Sequence, residues 1–260
     1  VETEAADKRG GVVLVHGMTD SPYSLRTLAD AFNKAGFYTL NLRVPGHGTA
    51  PGMLDVTDVE QFRAAVRMAM QRAAEQVGAD KPLLMVGYSN GAALTVDYVL
   101  NALASVDDKD DSAAVVLPQK LVLLSPALGV RAGSEWAFLR AWLGRLPGLK
   151  NAGWIQVQPE LDPFKYNSFP AFAGQLTESI AQRMPRLAAA TRARFPAVLA
   201  LVSAADSTVP AETVMTNLLD HLPQSTAELV VFDINRRHDM QLLVEPARAQ
   251  WLDTARQREP

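Results

Sequence analysis

The feature that most constrains this chain is a repeated rhythm of short apolar run, turn and amphipathic stretch. Six apolar runs stand out, at residues 11–15, 37–42, 83–86, 121–124, 198–202 and 229–232. Each is rich in Val and Leu without strict alternation, the pattern of strands buried on both faces. Alternating strands and helices read as βα units on a mostly parallel sheet, which predicts an α/β fold of about six strands flanked by helices.

The helices carry start and stop signals. Ser21-Pro22 can begin a helix that places Leu25, Leu28, Ala29 and Phe32 on one face, and Gly36 can end it. Thr57 and Glu60 stand at capping-box spacing, followed by Val59, Phe62, Val66, Ala69, Ala73 and Val77 at helical period up to Gly78. A third helix is predicted from just after Ser89 to about Leu103. A fourth is expected over 210–222 and a last one over 244–257.

One region breaks the rhythm. Between the fourth and fifth runs lie about seventy residues, far more than an ordinary βα connection. The stretch 128–195 holds Trp136, Trp142 and Trp154. Trp136, Leu139, Leu143 and Leu146 share one helical face, and Phe138 and Trp142 another. A helix apolar on more than one side is buried on more than one side or covers a pocket. The chain is therefore expected to be a single domain over 1–260 with a mostly helical cap inserted at 128–195. The cap's aromatics either line an apolar acyl or alcohol pocket or form the cap's own core.

Composition excludes several functions. The net charge of −3, with no basic block, argues against nucleic acid. There is no cysteine, which removes disulfides, thiol nucleophiles and Cys-based zinc sites. No apolar run approaches the ~20 residues of a membrane-spanning helix. The acidic run 107–111 lacks the Gly and distal Glu of a calcium loop and reads as solvated surface. The first residue is Val1, so a leading segment is expected to have been removed. Localisation reads only as soluble: cytoplasmic, or exported behind a removed signal.

The chemistry begins at Gly87-Tyr88-Ser89-Asn90-Gly91, a G-x-S-x-G segment between a predicted strand and a predicted helix. Strand, tight turn and helix would hold Ser89 on a sharp elbow with its hydroxyl exposed, backed by the partial positive charge of a helix N-terminus. An acyl-transfer site also needs backbone N–H donors where negative charge develops. Asn90 supplies one, and Met18, in Val15-His16-Gly17-Met18-Thr19-Asp20 after the first strand, supplies the other.

A serine needs a base to take its proton. In the order serine, acid, histidine, the candidates are His221 and His238. His221 ends a predicted helix, whereas His238 follows the last strand, so His238 is the expected base. Asp206, in the loop after the 198–202 strand, is the expected acid; Asp233 and Asp239 are its rivals. His16 reads as structural. His47, in Pro45-Gly46-His47-Gly48, either lines a pocket or sits in a turn held by two glycines.

These segments together resemble the α/β-hydrolase superfamily, in its carboxylesterase, monoacylglycerol lipase and serine-aminopeptidase-like branch. The resemblance rests on 16–21, 43–48, the Ser89 elbow, 205–210 and His238-Asp239, which span nearly the whole chain. It implies ester hydrolysis through an acyl-serine intermediate, with neither metal nor organic cofactor. With the apolar residues of 128–195, the expected partner is a small ester with an apolar acyl or alcohol group, of short to medium acyl length; long-chain lipids, peptides and lactones stay open. Aminopeptidase, thioesterase or C–C hydrolase chemistry on the same triad, or a catalytically silent binding module, are the alternatives. Two departures stand out. Arg236-Arg237 precede His238, where many members carry a small residue. Only about ten residues precede the first strand, too few for the antiparallel hairpin with which many members begin.

Overall fold

The computed structural model describes residues 2–3, 8–107, 116–129, 154–170, 175–206 and 210–233. His238, Asp239, Trp136, Trp142, most of the acidic run and the expected last helix lie outside the described residues.

The six predicted strands all form, with ends within two residues of expectation: β2 (Gly10–Val15), β3 (Phe37–Leu42), β4 (Leu83–Tyr88), β5 (Lys120–Leu124), β8 (Ala197–Ser203) and β9 (Ala227–Phe232). They run parallel in the order β3-β2-β4-β5-β8-β9. A seventh strand, β1 (Glu2–Thr3), pairs antiparallel with β3 at the sheet edge, Glu2 opposite Leu40. The sheet is thus six parallel strands plus one short antiparallel edge.

Helices cover both faces because β2 and β4 are apolar on both. Val13, Val15 and Met85 join the larger core with α2 (Val59–Val77) and α3 (Asn90–Asp107). Val12, Leu14 and Val86 join a second cluster with Leu25 and Ala29, at the start of α1 (Arg26–Lys34) and the 3-10 turn before it. The periodicity of α2 holds: Phe62, Val66, Ala69, Ala73 and Val77 are buried. Truncating the fully buried Phe62 to Ala should cost about 3–5 kcal/mol.

Several helix ends differ from expectation: the first helix opens as a 3-10 turn, Pro22–Leu25, and α3 runs on to Asp107. The capping box of α2 is Asp58 and Gln61, not Thr57 and Glu60. The Asp58 carboxylate accepts the Gln61 N–H at 2.8 Å, while the Thr57 hydroxyl turns back to the Met53 carbonyl at 2.6 Å. The helix expected to reach 222 stops earlier: α6 spans Glu212–Asn217, and a 3-10 turn, Leu219–His221, follows. Pro223 biases Leu222 to the extended conformation it adopts (φ −108°, ψ 155°), so no helix could run through it.

The long connection between β5 and β8 contains a two-stranded antiparallel ribbon, β6 (Trp154–Gln156) and β7 (Phe169–Pro170), then α4 (Gln175–Arg183) and α5 (Ala189–Ala193). Trp154 is buried in the main core. The turn between the ribbon strands organises itself around Glu160, whose carboxylate accepts the N–H groups of Asn167 (2.6 Å) and Ser168 (3.1 Å). The base of the insertion is tied to α3 by ions. Asp97, on α3 and fully buried, accepts two bonds from Arg63 of α2 (2.7 and 2.8 Å) and one from Arg183 of α4 (3.1 Å). Asn101 bridges the same carboxylate and Arg183. Among the described residues no helix is long and apolar enough to cross a membrane.

Candidate active site

Ser89 sits where β4 hands over to α3, at φ +52°, a left-handed conformation that costs a non-glycine residue about 1–3 kcal/mol. Its neighbours hold it there. The Ser89 N–H donates to the Leu124 carbonyl at 2.9 Å, and its carbonyl accepts the N–H groups of Ala92 (3.0 Å) and Ala127 (3.1 Å). Both flanking glycines are sterically required. A Cβ at Gly87 would collide with the backbone of Ala92, and one at Gly91 with the carbonyl oxygens of Val15 and His16. Ser89 is half-buried, so the turn leaves it accessible.

The loop after β2 lies alongside. Met18 and Asn90 are both buried. The Gly17 carbonyl accepts from His16 Nδ1 at 2.8 Å and from the Asp20 N–H at 3.3 Å. Gly17 C=O and Met18 N–H belong to one planar trans peptide and point in opposite directions, so holding the oxygen aims the N–H. Thr19, at φ +66°, completes the tight loop.

His16 is structural, as the sequence suggested. It is 1% exposed, and its Nε2 accepts the Val44 N–H at 3.1 Å while Nδ1 donates to Gly17. Burial pushes its pKa down to about 3, against the opposing hydrogen bond to Gly17, so the ring stays neutral. His47 packs edge-on to His16, ring centroids 5.0 Å apart. Gly46 (φ +78°) and Gly48 (φ +72°) do hold its turn. Its Nδ1 donates to the Pro45 carbonyl at 2.9 Å, its buried Nε2 has no hydrogen-bond partner among the described residues, and burial lowers its pKa. Both histidines are built into the loops beneath the site.

Asp206 lies three residues beyond β8, half-buried, and its N–H donates to the Ser203 carbonyl at 3.2 Å. It is near enough to the nucleophile turn to be felt there: burial raises the Tyr88 pKa, and the carboxylates of Asp20 and Asp206 push it the same way. Asp233 ends β9. His221 lies in the 3-10 turn after α6. The structure therefore brings Ser89, Asn90 and the Met18 loop together and places the Asp206 carboxylate within electrostatic reach of Tyr88.

A cavity of about 500 Å³ opens next to Tyr88. Asp20, Ser24, Asp162 and Lys165 give it polar walls, and Tyr23, Leu124 and Phe164 apolar ones. Tyr23 and Phe164 stack at 3.5 Å, joining the 3-10 turn after β2 to the ribbon turn of the insertion. Sequence reasoning missed Phe164 and Tyr166 as parts of this region. Only their contacts across the fold reveal them, since Tyr166 bonds to Thr49, 117 positions away.

The family model described as serine aminopeptidase, S33, matches residues 6–245. A thermostable monoacylglycerol lipase from Bacillus sp. (strain H-257) is 29% identical over 205 residues, covering 77% of this chain and 72% of the lipase. The crystal structure of a monoacylglycerol lipase from Paleococcus ferrophilus superposes with a TM-score of 0.65 at 21% identity, covering 97% of each chain. That of a highly thermostable carboxyl esterase from Bacillus coagulans, in complex with glycerol, superposes at 0.63 with 17% identity, covering 97% of this chain and 92% of the esterase. With a left-handed serine on a strand–helix elbow and a family match running almost end to end, the chain belongs to the serine aminopeptidase S33 family of α/β-hydrolases.

Proposed function

We propose that this chain is a serine hydrolase that cleaves carboxylic esters through an acyl-serine intermediate, as a carboxylesterase or monoacylglycerol lipase does. The observation that carries it is Ser89 at φ +52° with Gly17 against it: a Cβ at Gly17 would lie 3.3 Å from that of Ser89. The nucleophile and the peptide that aims the Met18 N–H thus share one small space, as stabilisation of a developing oxyanion requires.

In this reading His238 takes the proton from the Ser89 hydroxyl as Oγ attacks the ester carbonyl carbon. The N–H groups of Met18 and Asn90 receive the charge on the carbonyl oxygen. The C–O bond to the alcohol breaks, and His238 returns the proton to the leaving oxygen. A water molecule, deprotonated by His238, then attacks the acyl carbon; the bond to Ser89 Oγ breaks, His238 returns the proton to Oγ, and the acid leaves. Asp206 holds the imidazole in the right tautomer and stabilises the imidazolium. The mixed apolar and polar lining of the neighbouring cavity supports an amphiphilic ester of short to medium acyl length, taken beneath a cap formed by 128–195.

Turnover of p-nitrophenyl esters across acyl lengths, with Ser89→Ala as control, tests this. Ester cleavage that falls by about 10³-fold or more in the variant is the expected result. Undiminished turnover in Ser89→Ala removes Ser89 as nucleophile, and cleavage of aminoacyl amides with no ester turnover replaces the esterase reading by a peptidase one.

A further inference from the structure

We propose that Tyr166, on the turn of the inserted ribbon, is a positioning residue for the oxyanion loop and is required to hold the Met18 donor in place. This rests on the reading of the Met18 N–H as an oxyanion donor.

Tyr166 reaches that loop in three ways. Its backbone N–H donates to the Thr19 carbonyl at 2.7 Å. Its hydroxyl accepts the Thr49 N–H at 2.7 Å and donates to the Gly46 carbonyl at 3.3 Å, so it is used in both directions. Its ring lies nearly parallel to that of His47, with centroids 6.4 Å apart and planes 11° apart. His47 in turn meets His16 edge-on, and His16 holds the Gly17 carbonyl. The loop is thereby gripped before and after Met18: the Gly17–Met18 peptide at Gly17 O, by way of His16, and the Thr19–Asp20 peptide, one peptide beyond Met18, at Thr19 O directly from the insertion.

Thr19 needs such a grip. It is held at φ +66° without being glycine, a conformation that persists only where surroundings over-determine it. The turn delivering Tyr166 is itself pre-organised: Glu160 accepts the N–H groups of Asn167 and Ser168, and Asn167 Nδ2 donates to the Pro159 carbonyl at 2.7 Å. The inserted segment is in this way coupled to the geometry of the donor. Because a displacement of about 1 Å in a catalytic group can cost about 10²-fold in rate, the coupling acts on turnover more than on affinity for substrate.

The test is Tyr166→Phe, which keeps the ring and the backbone N–H and removes only the hydroxyl, with Tyr166→Ala beside it. Rates are taken per active site, counted by a fluorophosphonate titration, so loss of folded protein does not register. The second measurement is inhibition by an alkyl boronic acid, which forms a tetrahedral anion on the serine. Tyr166→Phe is expected to lower kcat about tenfold and weaken boronate inhibition in parallel, with KM within about twofold; Tyr166→Ala is expected to approach 10²-fold, towards the cost of losing one donor. An unchanged kcat and boronate affinity in Tyr166→Phe overturns the proposal, as does a rise in KM alone, which would make Tyr166 a substrate contact. Wild-type protein that hydrolyses esters through Ser89 yet ignores the boronate overturns instead the donor reading beneath it.

Discussion

Gly17 and Ser89 face each other so closely that a methyl group on Gly17 would lie 3.3 Å from the Ser89 Cβ and 3.2 Å from Tyr88 Cδ1. Neither neighbour is free to retreat. Ser89 is held by Leu124 and Ala127, and the Gly17 carbonyl is held by His16 and Asp20. Added bulk must therefore displace the loop that carries Met18. Gly17→Ala is expected to fold and to lose about 10–100-fold in kcat. Gly52→Ala, where an added Cβ meets nothing within 4 Å, is the matched control and should keep wild-type rates. Equal kcat for the two variants would disprove the crowding argument.

Asp97 predicts a loss of stability rather than of chemistry. It is fully buried and answers two guanidinium groups. Its hydrogen bonds hold the Arg63 pKa above its ordinary value, whereas burial draws that of Arg183 down, so the pairing with Arg63 is the tighter of the two. Asp97→Asn takes the shared carboxylate from both arginines and leaves Arg63 only the exposed Glu60. Removing one member of a buried pair costs about 3–5 kcal/mol, but Arg63 and Arg183 keep 21% and 31% exposure, which places the expected loss nearer about 3 kcal/mol. Urea unfolding monitored by tryptophan fluorescence measures it, and a change below about 1 kcal/mol would contradict the assignment.

His16 makes stability fall in acid. Its folded pKa, depressed by burial to about 3, lies below the ~6.5 of an unfolded imidazole. Below pH ~6.5 the unfolded chain therefore takes up a proton that the folded chain refuses. The contribution is fully present above that value and is lost progressively as pH falls towards 3, on the order of 3 kcal/mol by pH 4. His47, depressed by the same cause, acts in the same direction. Chemical unfolding at pH 7, 5.5 and 4.5 should show the decline, and the His16 ring resonances should stay those of a neutral imidazole throughout. Any acidic limb of kcat/KM near pH ~6.5 then belongs to another histidine, which the proposed mechanism assigns to His238.

The parts of this fold legible in the sequence are those set by local pattern. Strands buried on both faces, such as Val12-Val13-Leu14-Val15, are unbroken apolar runs, so their position and parallel pairing follow directly. Glu2–Thr3 carries no such pattern and becomes a strand only because the edge of β3 is there to pair with it. The α2 cap was one residue out because Thr57/Glu60 and Asp58/Gln61 satisfy the same spacing, and only the backbone geometry chooses between them. That the Ser89–Asn90 turn and the Met18 loop lie together was legible because one motif and one loop encode them. The places of Phe164 and Tyr166 were not, because they arise from packing between segments more than a hundred positions apart.

The insertion leaves the sheet after β5 and returns at β8, and these strands are direct neighbours, Leu124 opposite Leu201. Its two roots are thus already side by side. Closing a longer or shorter loop across such a gap adds only about 0.6 kcal/mol per doubling of length. The sheet, the elbow and the loop that carries Met18 would tolerate a replacement of the intervening chain, provided the new segment again filled the core where Trp154, Ile180 and Met184 lie and supplied a group to bond Thr19 and Gly46 and a partner for Asp97. Substrate range can on this account diverge by exchange of one module, with those contacts as its terms of entry.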